Sequence, residues 1–150
     1  MTDKTTFFHD ATERILNDID AEHSDMHDFV LQLRHSMTMP DVRTVMVPSF
    51  HQMNFYPAQG FCELASLAIM NKLGPDWDLM EIKWRDWAGG PHFFIQHHIT
   101  GQQLDMTYDQ YAVHGIQIPY ALGRPVKIDR RRAKLLKTYL NIMKSIHRDD

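Results

Sequence analysis

Residues 60–74 read GFCELASLAIMNKLG. The run from Cys62 to Leu73 is apolar on nearly every side, which predicts a buried, central helix. Gly74-Pro75 ends that helix cleanly, because neither residue continues a helix well. Cys62 is the only cysteine in the chain, so any thiol chemistry depends on the first residue of this helix.

The composition predicts one globular domain over residues 1–150, because 43% of the residues are hydrophobic and 23% are charged. The formal net charge of −3 argues against a protein that binds nucleic acid by neutralising phosphates. A single cysteine excludes an intramolecular disulfide framework and a zinc site built from several thiolates. We therefore expect a cytoplasmic protein, or one delivered without a signal peptide. No apolar run is long enough to span a membrane.

Residues 1–39 show helical periodicity, with apolar side chains at steps of three and four. They are Phe8, Ala11, Ile15 and Ile19 in the first helix and Phe29, Leu33 and Met37 in the second. We expect Ser24 to cap the second helix. The segment 42–47 (VRTVMV) follows, and its valines and threonine favour a short strand that Pro48 ends.

The second half of the chain has the pattern of an antiparallel meander followed by a helix. Residues 79–87 alternate apolar and charged side chains, which is typical of a half-exposed strand. Two further strands are expected at 92–99 and 103–106, and a helix at 130–147. This order of elements predicts an α+β domain in which the central helix packs on a small antiparallel sheet.

Cys62 is well placed for nucleophilic chemistry, because the helix macrodipole favours a negatively charged sulfur at this end. Glu63 would oppose that charge unless its carboxylate points away. His92 begins one predicted strand and Asp105 ends its antiparallel neighbour, so the carboxylate is expected to hydrogen-bond the imidazole ring. The other ring nitrogen would then face the thiol, which completes a nucleophile, a base and an orienting carboxylate.

These residues resemble the papain-like and transglutaminase-like cysteine superfamily, and within it the small bacterial and phage-borne papain-fold domains. The matching elements are Gly-x-Cys-x-x-Ala-Ser at 60–66, His92 at a strand start, and Asp-x-Thr-x-x-Gln-aromatic at 105–111. The resemblance implies a papain-like fold in which Cys62 is the nucleophile, His92 the base and Asp105 the orienting residue.

The resemblance covers a catalytic core over residues 48–111. Residues 1–39 and 130–147 lie outside it, and we expect them to form additional N-terminal and C-terminal helices that cover the core. The sequence departs from the superfamily at Phe61, where its cell-wall peptidases have an aspartate. It departs again at Phe94, where a tryptophan is common.

Several polar or aromatic residues are further candidates for the oxyanion hole or for contacts with substrate. These candidates are Gln59, Asn54, Gln52, Phe94, His98 and Gln110. Backbone N–H groups at the start of the central helix are natural oxyanion donors as well.

The predicted chemistry is acyl transfer at an amide, with a protein or peptide as the substrate and no cofactor. Water attacking a peptide bond would make the protein a peptidase. Water attacking a glutamine side chain would make it a deamidase, and an attacking amine would make it a transglutaminase. The alternative is a non-catalytic protein-interaction module or regulator on the same fold, with Cys62 as a core residue and His92 at a strand edge.

Two further patterns carry alternative interpretations. His23 and His27 have the i, i+4 spacing of metal ligands, but an exposed polar helix face is the preferred interpretation and we predict no metal site. Arg130, Arg131 and Arg132 put positive charge at a helix start, which the macrodipole disfavours. That cost favours a use for the charge, in contact with an acidic partner or with nucleic acid, while the alternative is a solvated helix start. A nucleic-acid binder that uses this helix is the least favoured of the three functional interpretations.

Overall fold

A computed structural model describes residues 3–19, 21–48, 56–83 and 91–148. The described part has an α+β architecture with six α-helices and a four-stranded antiparallel sheet. The chain divides into two compact units. The first comprises Met1–Phe61 and Met106–Ile118, and the second comprises Cys62–Asp105 and Pro119–Asp150.

The first unit is helical. Its helices are α1 (Lys4–Asp18), a 3-10 helix (Ala21–Met26), α2 (His27–Ser36), α3 (Pro40–Met46) and α5 (Asp109–Ala112). Helix α1 begins where the Asp3 carboxylate accepts a hydrogen bond of 2.8 Å from the Thr6 amide. The expected apolar stripes are buried, including Phe8, Ile15 and Leu33. The two predicted N-terminal helices are therefore confirmed.

The segment 42–47, predicted as a strand, is helical up to Met46 and forms most of α3, and Val47 follows the helix end. Pro40 occupies the first turn of this helix, where its missing N–H costs nothing, and Asp41 adds a negative charge that suits a helix N-terminus. Val42 and Arg43 are buried on one side. These terms outweigh the β-propensity of the valines, which is a weak preference that packing overrides.

Ser24 does not cap the second helix. It lies inside the 3-10 helix, which runs directly into α2. Met26 occupies the cap position, and no side chain hydrogen-bonds there. The 3-10 turn itself supplies the approach to α2, so no capping side chain is required.

The core of the first unit holds a buried cation. Arg34 is 1% exposed, and the Phe8 ring lies 3.9 Å below its guanidinium. All five of its N–H donors are used. Their acceptors are Thr12 Oγ1, the Phe8 and Met106 carbonyls and both oxygens of Asp109. Tyr56 donates its hydroxyl to the same Asp109 carboxylate.

The second unit contains the sheet and the central helix. Its elements are α4 (Cys62–Leu73), β1 (Trp77–Ile82), β2 (His92–His97), β3 (Gln103–Leu104), a 3-10 helix (Tyr120–Leu122), β4 (Arg124–Val126) and α6 (Arg130–Arg148). The strand order is β3-β2-β1-β4, with every neighbouring pair antiparallel. Helix α4 has the predicted bounds, and the last helix extends one residue beyond the predicted 147.

The strands differ from prediction at their ends. Strand β1 begins at Trp77, two residues early, and the predicted end of this strand at residue 87 lies outside the described residues. Strand β3 covers only Gln103–Leu104. Strand β4 was not predicted, since it is three residues long, contains Pro125 and pairs with β1 at the sheet edge.

Helix α4 packs against β1, β2 and α6. Leu67 of the helix, Leu79 of β1 and Phe93 of β2 form a buried cluster, with Cys62 and Leu135 packed against it. Tyr139 and Met143 of α6 are buried. The first turn of α4 is thereby fixed relative to the start of β2.

No helix within the described residues combines the length and the apolar character that crossing a membrane requires.

Candidate active site

The thiol of Cys62 lies at the first turn of α4, beside the start of β2. Its Sγ is 3.8 Å from the carbonyl oxygen of Pro91, the residue that precedes the strand. The side chain is partly exposed. The amides of a first helical turn have no acceptor inside their own helix, so this end presents N–H groups next to the sulfur.

His92 and Asp105 meet as the predicted register requires. His92 Nε2 is 2.7 Å from Asp105 Oδ2, and the imidazole is fully buried. Asp105 follows β3, which pairs with β2 through Ile95 and Leu104. The Cys62 thiol also interacts with the same imidazole, and this interaction raises the pKa of His92. Because Nε2 is held by Asp105, an interaction of the ring with the sulfur falls to Nδ1.

The surroundings of His92 favour its charged form. Burial by itself lowers the pKa of His92, but the negative charge of Asp105, its hydrogen bond to the ring and the interaction with Cys62 together raise that pKa to about 10. The imidazole is therefore an imidazolium at neutral pH. A cation at this position stabilises a negatively charged sulfur and holds a proton ready for a leaving group.

Tyr120 is the residue of the site that sequence reasoning missed. Its hydroxyl donates to Asp105 Oδ2 over 2.7 Å, so the oxygen that accepts from His92 accepts from Tyr120 as well. The ring packs edge-on against Phe94, with 5.0 Å between centroids. Tyr120 lies in a short 3-10 helix between Pro119 and Gly123, where no periodic pattern marks a functional residue.

Glu63 does not oppose a negative sulfur in the way the sequence suggests. Its Oε2 accepts from Arg131 over 2.8 Å and from Arg132 over 2.9 Å. The basic run at the start of α6 therefore neutralises the acid next to Cys62. Asp129 also caps α6 by accepting from the Arg132 amide over 2.8 Å. The opposite charges of the acid after the cysteine and of the distant basic run could have predicted that these two segments pair.

Phe94 lies within β2 and His98 directly follows it. Neither residue offers an exposed side chain at the His92 end of the strand. Phe94 is fully buried under the Tyr120 ring. A side chain added at Gly123 would meet the Phe94 ring at 2.8 Å, so this aromatic fills a closed space. His98 follows the opposite end of β2, where it stacks on His97 and lies 4.0 Å from Asp76.

The remaining candidates lie in the first unit or outside the described residues. Gln59 is half-buried in a turn, and its backbone N–H donates to the Tyr56 carbonyl. Gln110 is buried in α5 and donates its side-chain amide to Thr107 Oγ1. Gln52 and Asn54 lie outside the described residues.

Across the described ranges, no three His, Cys, Asp or Glu side chains are grouped so that they could hold a metal ion. His23 and His27 belong to this part of the chain.

Comparison with protein-family models, with curated proteins and with solved structures finds no match to this chain. The interpretation of the site therefore depends on its own geometry.

Proposed function

We propose that the protein is a cysteine-dependent acyl-transfer enzyme that acts on an amide bond, built on a papain-like arrangement of its second unit. One observation carries this proposal. A buried imidazole is held through Nε2 by Asp105 at 2.7 Å while it also interacts with the only thiol of the chain. A core cysteine has no need of a charged imidazole and an orienting carboxylate beside it.

The reaction begins when the Cys62 thiolate attacks the amide carbonyl carbon. A carbon–sulfur bond forms, and the oxygen takes up the negative charge next to the N–H groups at the start of α4. The carbon–nitrogen bond then breaks, and His92 gives its proton to the leaving amine. This leaves a thioester on Cys62 and a neutral imidazole.

The thioester is resolved by a second nucleophile. Water or an amine attacks the thioester carbonyl, and His92 takes a proton from this nucleophile. The carbon–sulfur bond then breaks, which regenerates the thiolate and the imidazolium. Asp105 and Tyr120 take no part in bond making. They hold the imidazole ring so that Nδ1 stays directed at the sulfur and at the reacting amide.

The first experiment is the alkylation of Cys62 by iodoacetamide between pH 4 and pH 10. An unassisted thiol with the ordinary pKa of about 8.5 is only about 0.3% thiolate at pH 6. We expect the folded protein to react at pH 6 at least about tenfold faster than the His92→Ala variant, because the imidazolium stabilises the thiolate. Since the chain has a single cysteine, the modified residue is unambiguous.

His98→Ala is the matched control, because it removes a histidine at the far end of β2 and should leave the rate unchanged. Equal rates for the parent and His92→Ala at pH 6 would contradict the proposal. An activated acyl ester then tests the second half of it. Cys62 should form a thioester that hydroxylamine releases, and Asp105→Ala should slow this acylation less than His92→Ala does.

A further inference from the structure

The charge of the chain is concentrated on one helix. Seven of the sixteen Lys and Arg residues lie on α6, and this helix carries no Asp or Glu. The rest of the chain keeps nine basic residues against nineteen acidic ones. The small net charge therefore hides a strongly basic helix on an acidic protein, and a net charge alone is a poor guide to partners here.

The cations on the outer side of α6 form a straight stripe. Arg130, Lys134, Lys137 and Lys144 are exposed and follow alternating steps of four and three residues, with Asn141 filling the remaining place. Such steps keep side chains on one line of a helix. At 1.5 Å per residue, the line extends for about 21 Å. We call these four side chains the α6 stripe.

Among the residues that the structure describes, the α6 stripe makes no ion pair. Within the described part of the chain, the ion pairs of α6 are made by Arg131 and Arg132 with Glu63 and Asp129. None includes a side chain of the stripe. The other exposed side chains of this helix face are small or neutral hydrogen-bonding groups: Ala133, Thr138, Asn141 and Ser145.

We infer that the α6 stripe binds the phosphate backbone of a nucleic acid without reading its sequence. Lys, Arg, Ser, Thr and Asn are the side chains that contact phosphate oxygens, and together they make up nearly the whole exposed face. Lysine, serine and alanine are depleted in protein–protein interfaces, which need a desolvated apolar centre that this face lacks. Insertion into a membrane would need the apolar side of α6, but Tyr139 and Met143 are buried within the protein.

The test measures binding of the full chain to a labelled 20-base-pair DNA duplex by fluorescence anisotropy between 50 and 200 mM NaCl. Four neutralised phosphates give a slope of about −3.6 in log affinity against log salt, which is a loss of roughly 150-fold over this range. The variant Lys134→Gln, Lys137→Gln, Lys144→Gln should flatten the slope by about three and weaken binding by more than about tenfold at 50 mM NaCl.

The matched control is Lys4→Gln, Lys72→Gln, Lys83→Gln, which removes the same charge from exposed lysines of other elements. Its affinity should stay within about twofold of the parent. Equal losses in the two variants, or a parent slope shallower than about −1, would overturn the inference. Tighter binding of polyglutamate than of DNA would overturn it too, in favour of an acidic protein partner. The inference does not depend on the thiol site, since the stripe lies outside it.

Discussion

Asp105 and Asp109 lie four residues apart in the chain and have similar partners, yet their surroundings give them different uses. Each carboxylate accepts a tyrosine hydroxyl and a hydrogen bond from a cationic side chain. Asp109 faces Arg34, a permanently charged group whose five donors are all satisfied. That network ends in the core and has no proton to give.

Asp105 instead faces His92, whose charge depends on pH and which also interacts with the Cys62 thiol. Both donors meet on the same oxygen, Oδ2, which fixes the ring and leaves the network open at the sulfur. A buried acid–cation pair therefore signals chemistry only when the cation can lose its proton and has a reactive neighbour.

Breaking the network between Arg34 and Asp109 should cost the most stability. Asp109→Asn leaves the charge of Arg34 buried without a counter-ion, which should lower the free energy of unfolding by about 3–5 kcal/mol. A guanidinium keeps its charge throughout the accessible pH range, so this loss should be the same at pH 7 and pH 10. Urea denaturation at the two pH values measures it. A loss that shrinks markedly at pH 10 would remove the distinction between the two networks.

The His92–Asp105 pair should instead contribute a stability that depends on pH. The folded-state pKa of His92, about 10, lies above the unfolded value of 6.5. The stability gained from its charged form is therefore fully present below about pH 6.5 and is lost as the pH rises through about 10. Asp105→Asn removes the partner that holds this charge.

We accordingly expect Asp105→Asn to cost about 1–3 kcal/mol of unfolding free energy at pH 7 and much less above pH 10. Urea denaturation of the parent and the variant across this range checks the difference. A cost that stays constant from pH 7 to pH 10.5 would show that His92 does not carry the charge. Asp109→Asn, measured beside it, is the pH-independent reference.

Much of the thiol site could be predicted because its residues occur at the ends of regular elements. The apolar run after Cys62 marks a buried helix, and the antiparallel pairing of the next two strands brings Asp105 within reach of His92. The periodicity of the sequence could not predict the contact of Tyr120 with Asp105 or the pairing of Glu63 with Arg131. Both join segments far apart in the chain, and short 3-10 turns carry no repeating pattern.

The first unit illustrates where local preference fails. The valines near residue 45 favour a strand, but Pro40 and Asp41 suit a helix start, and the buried faces of Val42 and Arg43 complete α3. Arg34 reads as a surface residue within an amphipathic helix, yet it is among the most deeply buried side chains. Its burial depends on Asp109, which lies 75 positions along the chain, so no window of local sequence could show it.

The two tyrosines offer the most closely matched comparison. Tyr56→Phe and Tyr120→Phe each remove one hydroxyl that donates to a carboxylate. Tyr56 serves a fully buried charge, so its loss should cost about 1–3 kcal/mol of unfolding free energy and leave Cys62 alkylation unchanged. Tyr120 serves the carboxylate that orients His92, so its loss should act mainly on reactivity.

For Tyr120→Phe we expect the alkylation rate at pH 6 to fall roughly two- to tenfold, the equivalent of one hydrogen bond worth about 0.5–1.5 kcal/mol. The stability loss should be smaller than that of Tyr56→Phe, because Asp105 keeps a little exposure to water and Asp109 has none. Alkylation and urea denaturation of both variants give a two-by-two comparison. A hydroxyl that fixes the imidazole must also affect the reactivity of the thiol. If both substitutions changed only the free energy of unfolding, Tyr120 would serve to pack against Phe94 and would not be a positioning residue.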